Sequence, residues 1–275
     1  KMSILSKQII KSIKRSCYSL LRKGENNMNR KIVIVGGVAG GATAAARIRR
    51  LDEEAEIIVF ERSGYVSYAN CGLPYYIGDV ITDQEELTLA TPESFFSRFR
   101  IDMKVNHEVT AINTERKTVS VKNLNTGEEF EESYDKLLLS PGAKPTQPKL
   151  PGLGIDKLFT LRTVEDTLKI KEYINKHKPK SVVLAGGGFI GLELAENLRD
   201  IGMDVTIVQR PKQLMNPFDA DMAAIIHSQM RKHGVKLALG YNVEGFEEEE
   251  KGVKVLLSGR EPLHADMAVL AIGVT

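Results

Sequence analysis

Lys31-Ile32-Val33-Ile34-Val35-Gly36-Gly37-Val38-Ala39-Gly40-Gly41 is the stretch that decides the fold. It opens on a short continuous apolar run, the mark of a parallel strand buried on both faces. Beyond the glycines, Ala42 to Arg50 reads as a helix, rich in alanine and closed by arginine. A second strand, Ile57–Phe60, runs into Glu61, twenty residues after Gly41. Strand, glycine turn, helix, strand and acid in this order make a dinucleotide-binding βαβ unit. The glycines permit a tight turn and close helix packing, the pyrophosphate sits on the helix N-terminus, and the acid receives the ribose hydroxyls. Aligned on Gly36 and Gly41, the middle glycine of GxGxxG is Val38, so the motif is imperfect although its context is complete.

The pattern returns 150 residues later, from Gly36 to Gly186. The strand Ser181–Ala185 leads to Gly186-Gly187-Gly188-Phe189-Ile190-Gly191, where GxGxxG is complete. Leu192 to Asp200 reads as helix and Val205–Val208 as the second strand. Two such units imply two dinucleotides, most simply a fixed flavin and a diffusible nicotinamide. At the end of the second strand stand Gln209 and Arg210, with Lys212 beyond, where a carboxylate would favour NADH. Loss of the acid and gain of a guanidinium favour a 2′-phosphate, hence NADPH, with NADH as the alternative.

Between the two units lies Ser67-Tyr68-Ala69-Asn70-Cys71-Gly72-Leu73-Pro74-Tyr75-Tyr76-Ile77-Gly78, which holds one of the chain's two cysteines. Asn70 suits a helix N-cap and Pro74 a first helical turn, so Cys71 is expected at a helix N-terminus, where a thiolate is favoured. Taken alone, a free cysteine is as readily a small buried hydrophobe.

Elsewhere a helix is expected near Pro92–Phe99, then strands at Val105–Ile112, Thr118–Val121, Glu129–Ser133 and Lys136–Ser140, with a turn at Asn125-Thr126-Gly127. Pro145 to Gly154 reads as a domain linker. A helix over Asp219–His233 and strands Val235–Gly240, Val253–Leu257 and Met267–Gly273 follow, with Glu247–Glu250 as a solvated turn. The histidines show no ligand spacing, so no metal is assigned. Two cysteines make no disulfide framework, which points to a reducing, cytoplasmic setting, and no apolar run is long enough to span a bilayer. Residues 1–27 carry seven Lys or Arg and one Glu. The remainder holds 31 basic and 35 acidic groups, a balance that does not suggest nucleic-acid binding. Because Met28 leads straight into a strand, residues 1–27, Cys17 included, are read as a non-native or disordered basic extension.

The GGVAGGATAA turn, the SYANCGLPYYIG stretch, the LLLSPGA strand and the GGGFIGLE motif together resemble the pyridine nucleotide–disulfide oxidoreductases. Within them the chain is most similar to the coenzyme A-disulfide reductases of the single-cysteine branch. Where two-cysteine members carry their second cysteine, Tyr76 stands. The resemblance implies an α/β architecture: two Rossmann-like three-layer domains binding FAD and NAD(P), the second inserted into the first. It implies an FAD-binding domain over 28–150 and an NAD(P)-binding domain over 151–275. The rest of the FAD domain and a dimerisation domain would lie beyond this chain, which alone would be inactive or nearly so. It also implies electron flow from NADPH through FAD to Cys71, which cycles through a mixed disulfide with coenzyme A, in a homodimer. Carried over residue by residue, FAD contacts fall on Gly36, Gly37, Val38, Ala39, Gly40, Gly41, Glu61, Arg62, Val109, Ser140 and Gly142. Nicotinamide-nucleotide contacts fall on Gly186, Gly188, Phe189, Ile190, Gly191, Glu193, Gln209 and Arg210, and substrate contacts on Thr43, Arg47, Arg50, Ser67 and Asn70. A basic family position falls on Phe99, flanked by Arg98 and Arg100. The rivals within the branch are a coenzyme A persulfide reductase and an NAD(P)H oxidase or peroxidase. The latter carry a histidine where this chain has Ala39. The rival of another class is a nucleotide-binding module without turnover.

Overall fold

The computed structural model describes residues 30–275, so the expectations for residues 1–27 and Cys17 lie outside the described residues. As far as Leu139 the elements are β1 (Lys31–Val35), α1 (Ala39–Arg49), β2 (Glu56–Phe60), α2 (Leu73–Ile77), α3 (Pro92–Phe99), β3 (Ile101–Lys104), β4 (His107–Asn113), β5 (Thr118–Asn123), β6 (Glu129–Ser133) and β7 (Lys136–Leu139). Beyond it come β8 (Leu158–Thr160), α4 (Val164–His177), β9 (Ser181–Ala185), α5 (Phe189–Asp200), β10 (Asp204–Gln209), α6 (Ala220–Lys232), β11 (Lys236–Leu239), β12 (Val243–Glu249), β13 (Gly252–Leu257), β14 (Arg260–Ala265) and β15 (Met267–Leu270).

Contacts divide the chain into two units. One holds the described residues up to Val66 with Ala90–Pro141; the other holds Ser67–Leu89 with Gly142–Thr275. Contacts thus group the Cys71 segment with the second unit, where the sequence reading drew it into 28–150.

The first unit is built on a parallel sheet in the order β3-β2-β1-β7. Alternate residues of a strand face opposite ways. On one face Ile32, Ile34, Ile57 and Val59 bury against Ala42, Ala45 and Ile48 of α1 and Phe95 of α3. On the other, Val33, Ile58 and Phe60 meet Val119 and Val121 of the antiparallel meander β4-β5-β6. Both faces are therefore covered, which is why β1 reads as an unbroken apolar run. Burying each such side chain contributes about 1.5–3 kcal/mol. The strand expected over Val105–Ile112 is β4, which begins two residues later at His107, and a further strand, β3, precedes it. Asn106 sits at φ 56°, and this left-handed residue turns the chain from β3, parallel to β2, into the meander.

The second unit repeats the plan. Its sheet runs β11-β10-β9-β15-β8, all parallel, with the antiparallel meander β12-β13-β14 on one face. Val183, Ala185, Val208 and Ala268 pack there against Phe246, Val253, Val255 and Leu257. Ile170 and Ile174 of α4 and Leu194 and Leu198 of α5 are also buried.

Two expectations are corrected here. Of Glu247–Glu250 only Glu250 lies in a turn: Glu247–Glu249 belongs to β12, where Glu247 pairs with Lys254 at 2.8 Å and Glu248 with Lys157 at 3.7 Å. Pro145–Gly154 is not a free linker. Thr146 N donates to Gly273 O at 2.9 Å, Phe246 N donates to Pro151 O at 3.0 Å, and Leu150 and Leu153 join the apolar cluster beneath the meander. The sequence reading left α4 unassigned, although Thr163 and Asp166 form a capping box at its start.

Candidate functional site

Each glycine turn is fixed by what a side chain would strike. A Cβ at Gly41 would lie 1.7 Å from Gly36 O, and one at Gly191 would lie 2.0 Å from Gly186 O. Gly36 (φ 94°) and Gly186 (φ 124°) are in the left-handed region that favours glycine. At Gly40 a Cβ would meet Ser140 Oγ at 2.2 Å, which ties the turn to the residue after β7. By contrast, a Cβ at Gly188 meets nothing within 4 Å. The fold itself does not need glycine at the middle position, which explains how the first turn accommodates Val38.

The residues ending the second strands make matching bonds. Glu61 Oε2 accepts from Gly37 N at 2.7 Å and its Oε1 from Ser63 N at 2.8 Å. Gln209 Oε1 accepts from Gly187 N at 2.9 Å. An uncharged amide oxygen thus replaces a carboxylate at the same point of the second unit. Arg210 and Lys212 are exposed and have no carboxylate partner among the described residues. Arg62 is exposed and forms a long ion pair with Glu108 at 3.7 Å. Val109 is half-buried against the apolar cluster formed by Val33 and Phe60, a packing role. Gly142 is exposed with φ 71°, and Ala39 is exposed at the start of α1.

In the second unit Phe189 is 64 % exposed, its ring edge-on to Phe218. Ile190 is half-buried. Glu193 is half-buried too, and burial, then the neighbouring Glu196, push its carboxyl above the usual range. His227 accepts from Leu214 N at 2.9 Å; burial first and Arg231 second hold its imidazole below the ordinary value.

The Cys71 segment is a closed excursion. Tyr68 and Thr88 form an antiparallel bridge, and Leu89 N donates to Ser67 O at 3.1 Å. Leu73, Ile77 and Leu87 are buried within it. Asn70 does not cap a helix. Ala69 precedes a 3₁₀ turn, Asn70–Gly72, which runs into the five-residue α2. The Asn70 side chain is taken elsewhere: its Oδ1 accepts from Arg162 Nη1 at 2.6 Å. Cys71 is an exposed free thiol. Ser67 is held at φ 49°, an unfavourable conformation for a residue with a Cβ.

Packing against α4 and α5 holds α2. Lys171 Nζ donates to Ile77 O at 2.9 Å and pairs with Asp79 Oδ1 at 2.6 Å. Gly78 lies so close to the buried Asn197 that a Cβ would come within 2.5 Å of Asn197 Oδ1. Arg162, Lys171 and Asn197 escaped the sequence reading, since nothing in their local sequence signals a bond to a segment some ninety residues or more away.

On α1, Thr43, Arg47 and Arg50 are exposed, and spacings of four and three residues set them on one helical face. Arg49 is different: buried, it donates to Phe99 O at 2.7 Å, Glu53 O at 2.8 Å, Arg100 O at 3.0 Å and Asp52 O at 3.2 Å. Phe99 packs into the core, Arg98 lies over its ring, and Arg100 donates to Glu53 O at 2.8 Å. Among the described residues no cluster of His, Cys, Asp or Glu could hold a metal ion, and no helix is long and apolar enough to cross a membrane.

The family profile described as pyridine nucleotide-disulphide oxidoreductase matches residues 30–275. The chain belongs to this family. It is 43% identical over 243 residues to a coenzyme A disulfide reductase of Staphylococcus aureus, covering 88% of this chain and 54% of that protein. Among solved structures it resembles reduced Bacillus anthracis CoADR-RHD, with a TM-score of 0.88 and 50% identity over 91% of this chain and 45% of the other. It also resembles a NAD-dependent persulfide reductase from A. fulgidus, with a TM-score of 0.85 and 32% identity over 89% of this chain and 46% of the other. The chain spans about half the length of the curated relatives it matches. The α/β architecture is shared with these oxidoreductases.

Proposed function

We propose that the protein, at the full length of its relatives, is a flavin-dependent reductase that uses NADPH to cleave coenzyme A disulfide at Cys71. The observation that carries this reading is Cys71 itself: an exposed free thiol in a closed, internally packed excursion, with Tyr76 at the fifth position beyond it. Cys71 has no cysteine partner among the described residues, and on this reading its disulfide partner is the substrate.

The residues present fit FAD in the first unit. Gly36, Gly37, Val38, Ala39, Gly40 and Gly41 give the diphosphate an approach to the backbone amides of α1, and Glu61 stands where the ribose hydroxyls would be received. When bound, FAD supplies a relay for an electron pair between a hydride donor and sulfur. The second unit fits the nicotinamide nucleotide through Gly186, Gly188 and Gly191, with open space above Gly188. Gln209 offers no charge to repel a 2′-phosphate, and Arg210 can clamp it. Thr43, Arg47 and Arg50 offer a hydroxyl and two cations to the phosphates of coenzyme A.

The Cys71 thiolate attacks one sulfur of the disulfide. The S–S bond breaks, one coenzyme A thiolate leaves and takes a proton, and the other half stays on Cys71 as a mixed disulfide. Two electrons from NADPH then split that bond, restoring the thiolate and releasing the second coenzyme A. In balance, NADPH, one proton and coenzyme A disulfide give NADP⁺ and two coenzyme A thiols. On this reading the enzyme works as a homodimer in the cytoplasm.

The test is NADPH oxidation by the full-length protein with coenzyme A disulfide, beside Cys71→Ser. Turnover that vanishes in the variant supports the reading. Turnover that survives, or that needs only oxygen, moves the oxidase reading ahead, and turnover confined to coenzyme A persulfide moves the persulfide reductase ahead.

A further inference from the structure

An asparagine amide has one acceptor end and one donor end, and a guanidinium has only donors. Asn70 Oδ1 accepts from Arg162 Nη1 at 2.6 Å, so Arg162 dictates which way round the amide lies. The acceptor end is engaged by this bond, and the Asn70 Nδ2 hydrogens have no partner among the described residues. The residue beside the exposed Cys71 is thereby held as a donor.

Arg162 is itself well placed to hold this orientation. It is half-buried, it precedes α4, and its backbone N donates to Asp166 Oδ2 at 2.9 Å, within the network of the α4 capping box. The guanidinium has no carboxylate partner among the described residues, so no internal anion competes with Asn70 for it. Gly142 lies against the other arm of the fork: a Cβ there would sit 3.8 Å from Arg162 Nη2. Position, backbone anchorage and lack of a competing anion all leave the fork aimed at the amide.

We infer that Arg162 is a positioning residue for substrate selection: it locks the Asn70 amide with Nδ2 outward, to donate to a carbonyl oxygen on the amide-bearing arm of the disulfide that reaches Cys71. The inference rests on the reductase reading and adds to it. The amides of the arm, besides the phosphates, become part of what is recognised. A small disulfide with no amide gains nothing from a fixed Nδ2.

The experiment compares two disulfides with the prereduced full-length protein. Formation of the Cys71 mixed disulfide is followed by mass spectrometry with coenzyme A disulfide and with 2-hydroxyethyl disulfide. In Arg162→Met the rate with coenzyme A disulfide falls about tenfold, the loss of one well-made hydrogen bond, while the rate with 2-hydroxyethyl disulfide holds. In an Asn70→Ala background the Arg162→Met effect disappears, because the residue acts through the amide. Arg162→Lys keeps a donor and regains part of the selectivity. A parallel loss with both disulfides would mean that Arg162 merely supports the segment, and additivity of the two substitutions would mean that it does not act through Asn70. Either result overturns the inference alone. A wild-type protein whose Cys71 reacts with neither disulfide overturns the reductase reading, and the inference falls with it.

Discussion

Replacing Gly78 by alanine should move Cys71 from several residues away. Gly78 ends α2 at φ −85° and ψ 11°, a conformation open to any residue, so alanine brings no backbone strain. The effect is purely steric. The new Cβ would lie 2.5 Å from Asn197 Oδ1, 2.6 Å from its Cβ and 2.9 Å from its Cγ, where carbon atoms in good contact sit about 3.5–4.0 Å apart. Asn197 cannot swing aside: it is 1 % exposed, and its Nδ2 donates to Glu193 O at 2.7 Å. The end of α2 must therefore retreat by about 1 Å, which strains the Lys171 bonds to Ile77 O and Asp79. Overpacking of this kind destabilises by about 1–3 kcal/mol, and for a chain of this size each kcal/mol lowers Tm by roughly 2–4 °C. A thermal melt and the rate of Cys71 alkylation by iodoacetamide should both change in Gly78→Ala. Asn197→Ala should not rescue, because its Cβ remains in the way. Asn197→Gly should restore the alkylation rate, although glycine inside α5 itself costs about 1 kcal/mol. A Gly78→Ala protein with wild-type Tm and wild-type alkylation would refute the docking argument.

Arg49→Met should leave the carbonyls of Asp52, Glu53, Phe99 and Arg100 short of a donor and lower stability by about 3 kcal/mol in urea denaturation, whereas Arg47→Met, on the exposed face, should be close to neutral. Gln209→Glu keeps the Gly187 contact but restores a negative charge beside Arg210, so the ratio of kcat/KM for NADPH over NADH should fall at least about tenfold; an unchanged ratio would remove Gln209 from cofactor choice. Folding depresses the His227 pKa, so the neutral ring stabilises the fold above the unfolded value of 6.5. That stability is lost as pH falls from there through the lower folded value. His227→Gln should flatten the wild-type slope of Tm against pH in that window.

How much of this was legible in the sequence follows from the range of the forces. The glycine turns were legible because their cause is local: Gly41 and Gly36 are five residues apart, and no side chain fits between them. The parallel strands were legible because burial on both faces leaves an unbroken apolar run. The three acids of Glu247–Glu249 misled because a solvated strand face and a solvated turn are filled by the same residue types, and only pairing with β13 separates the two. Asn70 misled for a deeper reason. A side chain that caps a helix and one that answers a distant arginine look identical in sequence, and the choice between them was made by Arg162, 92 residues away.

The paired bonds of Glu61 and Gln209 carry that reasoning to function. Both residues end a second strand, and both accept from the amide that follows the first glycine, at 2.7 Å and 2.9 Å. Backbone geometry therefore cannot distinguish one nucleotide site from the other. Charge is what differs, and on the proposed reading the carboxylate of one unit suits ribose hydroxyls while the neutral amide followed by Arg210 in the other suits a 2′-phosphate. The same restriction, no room for a Cβ, shapes both turns, and on the proposed reading the change from carboxylate to amide at one position is what lets two copies of one fold take different nucleotides.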